Sequence, residues 1–307
     1  MTEFHLTTPV VLLVFNRPHT TEQVFKEIRN AKPPTLLVIA DGPRTDQSGE
    51  DEKCAAVRDI IEQVDWDCQV LKNYSDLNLG CRKRVASGLD WAFSLVDEAI
   101  ILEDDCVPHP TFFHYCQELL ERYRTDERVM TISGNNFQFG RRRAKYSYYF
   151  SRYAHLWGWA TWRRAWNFYD VDMKSWPEIR DGAWLFDILG NTRPEIRDGQ
   201  YQIDIRRSIQ TVQYWHNIFE HTYKGRIDTW DYQLVFTSWL QNGLHILPNI
   251  NLVSNIGFGP EATHTKVMNQ CANLPITAME YPLNHPPFVI RDSWADDYSQ
   301  ATHFGYK

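Results

Sequence analysis

The sequence predicts an α/β protein built on a mainly parallel sheet flanked by helices, and three observations point there. Short, wholly apolar runs recur through the first 135 residues, as strands buried on both faces require. Segments with helical spacing lie between the runs. Polar and charged residues gather immediately after them, where open α/β sheets bind their ligands.

The strand candidates follow in order. "VVLLVF" (10–15) comes first and runs into "NRP" at 16–18; "TLLVIAD" (35–41) comes second and opens into "DGPR" at 41–44. Val57, Ile60, Ile61 and Val64 then recur at helical spacing before "CQVLK" (68–72). "NLGCRKR" (78–84) leads into a second amphipathic helix carrying Val85, Leu89, Ala92 and Val96. "EAIILED" (98–104) and "RVMTISG" (128–134) complete the set. No GxGxxG follows the first strand and no GxxxxGK[ST] occurs, which excludes the usual dinucleotide-binding and P-loop signatures.

Beyond about residue 140 the alternation stops. Trp, Arg and Tyr cluster in "FSRYAHLWGWATWRRAWNFYD" (150–170), and "PEIRDG" occurs at 177–182 and again at 194–199. One copying event is too little for a solenoid, so this stretch reads as a surface or lid insertion without chemistry. "DTWDYQLVFTSWLQNG" (228–243) has helical character, and the tail after about 270 has no clear period. The expected organisation is residues 1–135 as a ligand-binding half and 136–307 as a Trp-rich second half, packed together as one domain.

Composition narrows the function. A net charge of −7 speaks against a protein that wraps nucleic acid. The one basic cluster, "GRRRAK" at 140–145, reads as a solvated loop or as a contact for an anionic substrate or membrane surface. Six cysteines without CxxC spacing fit a reduced thiol set, and "PVVLLVF" is too short to span a bilayer. A soluble, cytoplasmic chain is expected, with peripheral membrane contact as an option.

The most informative stretch is "AIILEDDCVPHP" (99–110). Ala99 to Leu102 predict a strand buried on both faces, and Glu103, Asp104 and Asp105 emerge at its carboxyl end. Alternation along an extended strand places Glu103 and Asp105 on one face and Asp104 on the other. Carboxylates so close repel unless a cation neutralises them. Mn²⁺ or Mg²⁺, which take one or two carboxylates and leave positions for substrate phosphates, is the economical choice.

"PVVLLVFNRP", "VIADGPR", "AIILEDDCVPHPTFF" and "NIGFGPEATHT" together resemble the nucleotide-sugar glycosyltransferases of the GT-A fold, in particular those related to N-acetylglucosaminyltransferase I. The resemblance covers roughly residues 8 to 135 and 225 to 265. It implies a GT-A, Rossmann-like sheet with an acceptor-side second half. It implies that Asp105 coordinates the metal on the donor diphosphate, that Asp104 and Glu103 face the ribose and the transferred sugar, and that Arg17 and Asp41 hold the nucleoside. Arg82, at the start of a helix, is placed to meet phosphate or uracil.

Transfer from a nucleotide sugar needs a base for the acceptor hydroxyl. "DTWDYQ" supplies Asp228 and Asp231, both also plausible helix caps. The resemblance implies Asp231, because the family's base follows an aromatic in a Trp-Asp segment here. It also places His264 on a loop that closes over the donor, where it would ligate the metal or touch phosphate, with Gly257 and Gly259 as hinge points. Of Trp157, Trp159 and Trp162, Trp159 is taken as the candidate for stacking on the sugar, with core packing as the competing use.

The expected activity is metal-dependent transfer of a sugar, N-acetylglucosamine by resemblance, from a UDP-sugar to a glycan or other hydroxyl acceptor with inversion. Two rival readings stay open: a catalytically silent carbohydrate-binding or scaffold protein, and a sugar-nucleotide pyrophosphorylase, against which the glycine-free "FNRPHTTEQ" speaks.

Overall fold

A computed structural model describes residues 4–189, 194–197, 200–203, 205–258 and 270–305. The first half alternates strand and helix: β1 (Val10–Val14), α1 (Pro18–Ala31), β2 (Thr35–Ala40), α2 (Glu50–Ile61), β3 (Gln69–Tyr74), α3 (Gly80–Leu95) and β4 (Glu98–Glu103). There follow β5 (Cys106–Pro108), α4 (Thr111–Arg122), β6 (Val129–Ser133), β7 (Tyr148–Ser151) and β8 (Trp159–Trp162). The remainder comprises α5 (Arg163–Trp166), α6 (Trp176–Asp181), α7 (Leu185–Leu189), β9 (Pro194–Arg197), β10 (Gln200–Ile203), α8 (Ile205–Tyr223), α9 (Asp231–Leu240), β11 (Leu244–Pro248), β12 (Val253–Asn255) and α10 (Ser293–Ser299).

Eight strands form one sheet in the order β3-β2-β1-β4-β8-β6-β11-β7. The first four are mutually parallel. β8 runs antiparallel to both of its neighbours, β11 is parallel to β6, and β7 closes the edge antiparallel to β11. Only β7 and β8 therefore oppose the common direction, and the predicted mainly parallel α/β sheet flanked by helices is what forms.

The reason lies in the period of two. Val10, Leu12, Val14, Leu36, Val38, Ile100 and Leu102 enter one core together with α1, α2 and α4. Val11, Leu13, Leu37, Ile39, Ala99 and Ile101 enter the other with α3, α8 and α9. With both faces covered, nearly every strand position must be apolar. α1 shows the matching helical stripe, burying Thr21, Val24, Phe25 and Ile28, and Pro18 fits its first turn.

The five sequence-predicted strands correspond to β1 through β4 and β6. β7, β8, β11 and β12 arise in the second half, and β8 inserts between β4 and β6. The two "PEIRDG" copies adopt different structures: the first lies mostly in α6 and the second mostly in β9. Trp176, fully buried and donating to Glu220 at 2.8 Å, anchors the helical copy.

The basic cluster is partnered within the chain. Arg143 pairs with Asp292 at 3.1 Å, and Arg141 lies over the Tyr298 ring at 4.2 Å. None of the six cysteines forms a disulfide, and among the described residues no helix is long and apolar enough to cross a membrane.

Candidate active site

The carboxyl ends of β1, β2 and β4 open into a cavity of about 660 Å³. Its lining includes Arg17, Asp41, Glu103, Asp104 and Asp105 from the first half and Asp231 from the second. This volume lies within the range of small-ligand sites.

The three acids are built by the register of the sheet. Glu103 stands beside Leu13 of β1, and the Phe15 N–H donates to Asp104 Oδ2 at 3.3 Å. Arg17, just beyond β1, reaches both following acids: Nη1 donates to Asp105 Oδ2 at 2.8 Å, and Nη2 pairs with Asp104. Arg17 thus supplies the neutralising positive charge that the sequence reading assigned to a metal. Burial works against the guanidinium's charge, but Asp104 and Asp105 outweigh it and hold its pKa above the ordinary arginine value.

The acids divide into paired and unpaired groups. Burial pushes Asp104 up to about 6, with Arg17 pulling the other way. Glu103, half-buried, receives no donor from the described residues. Burial, then Asp105 and Asp104, push it up to about 8, with Asp231 adding in the same sense.

β5 turns back from the acids and pairs with β12, Asn255 opposite Cys106. The Ile256 N–H then donates to the Asp105 carbonyl at 2.8 Å and sets Gly257 against the acidic tip. A Cβ at Gly257 would lie 1.9 Å from Asp105 Oδ2 and 2.7 Å from Arg17 Nη1. Glycine is required here for close approach, since no other residue leaves the carboxylate where it is.

Asp41 occupies the mouth of α3. Its Oδ1 accepts the N–H groups of Gly42 and Leu79, each at 2.9 Å, and its Oδ2 accepts that of Gly80 at 3.1 Å. Burial raises its pKa while these amides oppose the rise. Asp228 accepts the Arg82 N–H at 3.3 Å and stands over Gly80, whose φ of +77° favours glycine. The positive end of α3 is therefore already covered by two carboxylates.

Two sequence-predicted residues are corrected by this geometry. The Arg82 side chain turns away from the cavity to the Val171 carbonyl and lies 3.6 Å from Asp172, which together give its guanidinium an acceptor and a counter-charge there. Trp159 does not line the cavity either. It is fully buried in β8 and stacks on Trp230 with centroids 5.5 Å apart at 23°. His264 and Gly259 lie outside the described residues.

Asp231 opens α9, a helix buried on all sides from Gln233 to Trp239. Its Oδ1 accepts the Tyr232 N–H at 2.8 Å and the Thr229 hydroxyl. As the helix continues into the core, Asp231 is the charged residue left at its cavity end.

Sequence reasoning missed an aromatic wall. Phe137, His155, Trp157, Phe258, His303 and Phe304 line the same cavity. Phe137 packs against both His155 at 4.5 Å and His303 at 4.4 Å, the two imidazoles lying 5.7 Å apart, and Trp157 meets Phe137 edge-on at 5.2 Å. Neither ring nitrogen of buried His155 has a hydrogen-bond partner among the described residues, and burial holds its pKa far below the usual range, so the ring is neutral. The only signal was the Trp-rich composition, which does not tell Trp157 from Trp159.

Among the described residues no group of three or more His, Cys, Asp or Glu is arranged as a metal site. The donor chemistry nonetheless fits a hard divalent ion with substrate oxygens completing its shell. Among the described residues Glu103 receives no donor, Asp105 Oδ1 meets only the Cys106 thiol at 3.3 Å, and Arg17 is the one cation paired with any of the three acids.

No family model and no curated protein matches the chain. Among solved structures it is similar to a mannosyltransferase from Pyrobaculum calidifontis in complex with GDP-Man and Mn²⁺, at 13% identity over 77% of this chain and 70% of that one, TM-score 0.41. It is also similar to a UDP-glucose pyrophosphorylase complexed with UDP-glucose, at 8% identity over 79% and 90% of the chains, TM-score 0.35. A 4-diphosphocytidyl-2C-methyl-D-erythritol synthase from Anaerococcus prevotii matches at 9% identity over 51% and 72%, TM-score 0.31. Likenesses this loose do not decide an activity, and the functional reading rests on the residues around the cavity.

Proposed function

We propose that the chain is a metal-dependent glycosyltransferase of GT-A type, moving a sugar from a UDP-linked donor to a hydroxyl of a glycan or polysaccharide-precursor acceptor with inversion. N-acetylglucosamine is the sugar the sequence resemblance suggests. One observation carries the reading: the acidic tip of β4 and Asp231 at the start of α9 line the same cavity, close enough for Asp231 to raise the Glu103 pKa.

Asp105 would hold Mn²⁺ or Mg²⁺ together with the donor phosphates, and the ion would supply charge stabilisation to the departing diphosphate. The chain's residues do the rest. Arg17 and Asp104 orient the nucleotide, Glu103 faces the transferred sugar, and Asp41 fixes the 78–80 turn that frames the nucleoside. Asp231 accepts the proton of the attacking hydroxyl, and a general base of this kind contributes about 10²–10⁴ in rate. The aromatic wall around Trp157 receives the acceptor.

The test is UDP release from UDP-sugars with and without Mn²⁺, alone and with a panel of glycan acceptors. Metal-dependent release that Asp231→Ala suppresses supports the proposal. A chain that releases no UDP in any condition is a binding protein instead.

A further inference from the structure

Arg17 bridges two adjacent carboxylates, with Nη1 on Asp105 at 2.8 Å and Nη2 on Asp104. A guanidinium cannot give up its charge in a protein. A divalent ion approaching Asp105 therefore meets a fixed positive charge already on one carboxylate oxygen. Gly257 closes the same oxygen from another side, since even a Cβ there would stand 1.9 Å from it. What is left on Asp105 is Oδ1, in contact with the Cys106 thiol at 3.3 Å.

The pairing is anchored at one end and open at the other. The Arg17 backbone is fixed by Pro18 and the first turn of α1, where the Thr21 N–H donates to the Arg17 carbonyl at 3.0 Å. Its side chain keeps 20% exposure toward the cavity, against 4% and 11% for Asp104 and Asp105. A diphosphate in the cavity would offer this guanidinium a bidentate partner of higher charge than either carboxylate.

We propose that Arg17 is a built-in counter-cation that keeps a divalent ion off Asp105 until a nucleoside diphosphate takes its guanidinium. The inference rests on the reading above that Asp105 ligates the ion, and it adds an order: ion and nucleotide enter together, and the empty protein binds the ion poorly.

The experiment titrates the full chain with Mn²⁺, following free Mn²⁺ by electron paramagnetic resonance, with and without UDP. It compares wild type with Arg17→Met, Arg17→Lys and Asp105→Asn, each shown to be folded by circular dichroism. Arg17→Met should bind Mn²⁺ about tenfold or more tightly than wild type without UDP. Arg17→Lys, which keeps the charge but cannot bridge both acids, should fall between them and serves if the Met variant does not fold. UDP should raise the affinity of wild type more than that of either variant.

If both Arg17 variants bind Mn²⁺ no better than wild type without UDP, while Asp105→Asn abolishes binding with UDP, the counter-cation role is overturned and the ion site stands. If Asp105→Asn binds as wild type does, or wild type with UDP binds no Mn²⁺, the ion site itself fails and the inference with it.

Discussion

Gly257 presses on Asp105 so closely that its missing side chain defines the shape of the acidic tip: a Cβ would lie 1.9 Å from Oδ2. Gly257→Ala should therefore push Asp105 or the β12 backbone aside, not merely stiffen a loop. Overpacking of this kind costs about 1–3 kcal/mol. The expected outcome is a lowered melting temperature together with loss of UDP-dependent Mn²⁺ binding. Calorimetric melting and a Mn²⁺ titration check it, and an alanine variant that binds as wild type does would refute the contact.

Asp231 and Asp105 should separate binding from chemistry. Asp231 sits at the cavity end of a helix whose body is buried, its Oδ1 accepting the Tyr232 N–H and the Thr229 hydroxyl. Asp231→Asn should lower transfer by about 10²–10⁴ and leave nucleotide affinity within about twofold. Asp105→Asn should instead abolish metal-dependent affinity. Single-turnover transfer and calorimetric UDP titration on the same preparations distinguish the two, and equal loss of binding in both variants would contradict the division of labour.

Glu103 sets a pH dependence whose sign is fixed. Its carboxyl is pushed up to about 8 in the folded chain, by burial first and then by Asp105 and Asp104, from an ordinary value of 4.5. The folded state thus holds a proton that the unfolded state releases between those two values, so stability falls as pH rises through that window. Asp104, up to about 6 from 3.8, acts in the same sense over a lower range. The melting temperature should decline from about pH 5 to about pH 8, and Glu103→Gln should flatten the upper part of the decline. A variant whose profile parallels wild type would show that Glu103 is not the group responsible.

The parts of the fold that were legible in sequence are those where both faces of a strand are covered. Val10–Val14 and Glu98–Glu103 announce themselves because burial on two sides leaves an unbroken apolar run. β8 did not, because its four residues lie inside an aromatic-rich stretch with no period, and only its pairing with β4 and β6 makes it a strand. The same distinction holds at the cavity. Arg17, Glu103, Asp104 and Asp105 could be placed at the cavity because they lie at or just beyond the ends of β1 and β4. Arg82 was misread because its guanidinium turns to the Val171 carbonyl and Asp172, a long-range arrangement that local sequence does not display. The role of Arg17 as counter-cation was hidden for a related reason: its partners lie 87 and 88 residues away.

Trp157 and Trp159 are two residues apart yet belong to different environments, and substitution should expose this. Trp159 is fully buried, stacked on Trp230, and holds β8 between its neighbours. Removing its indole leaves a cavity beneath α9, and Trp159→Ala should cost about 3–5 kcal/mol, read as a shifted midpoint in urea unfolding. Trp157 is half-buried on the cavity wall, and its ring contacts with Phe137 and Phe258 are both edge-on, at 75° and 81°. Its replacement by Leu keeps apolar volume but removes the flat surface, so stability should change by less than about 1.5 kcal/mol. The deficit should instead appear as a raised KM for the acceptor at an unchanged KM for the UDP-sugar. If Trp157→Leu unfolds the chain as readily as Trp159→Ala does, the ring is a core element and the aromatic wall is not an acceptor surface.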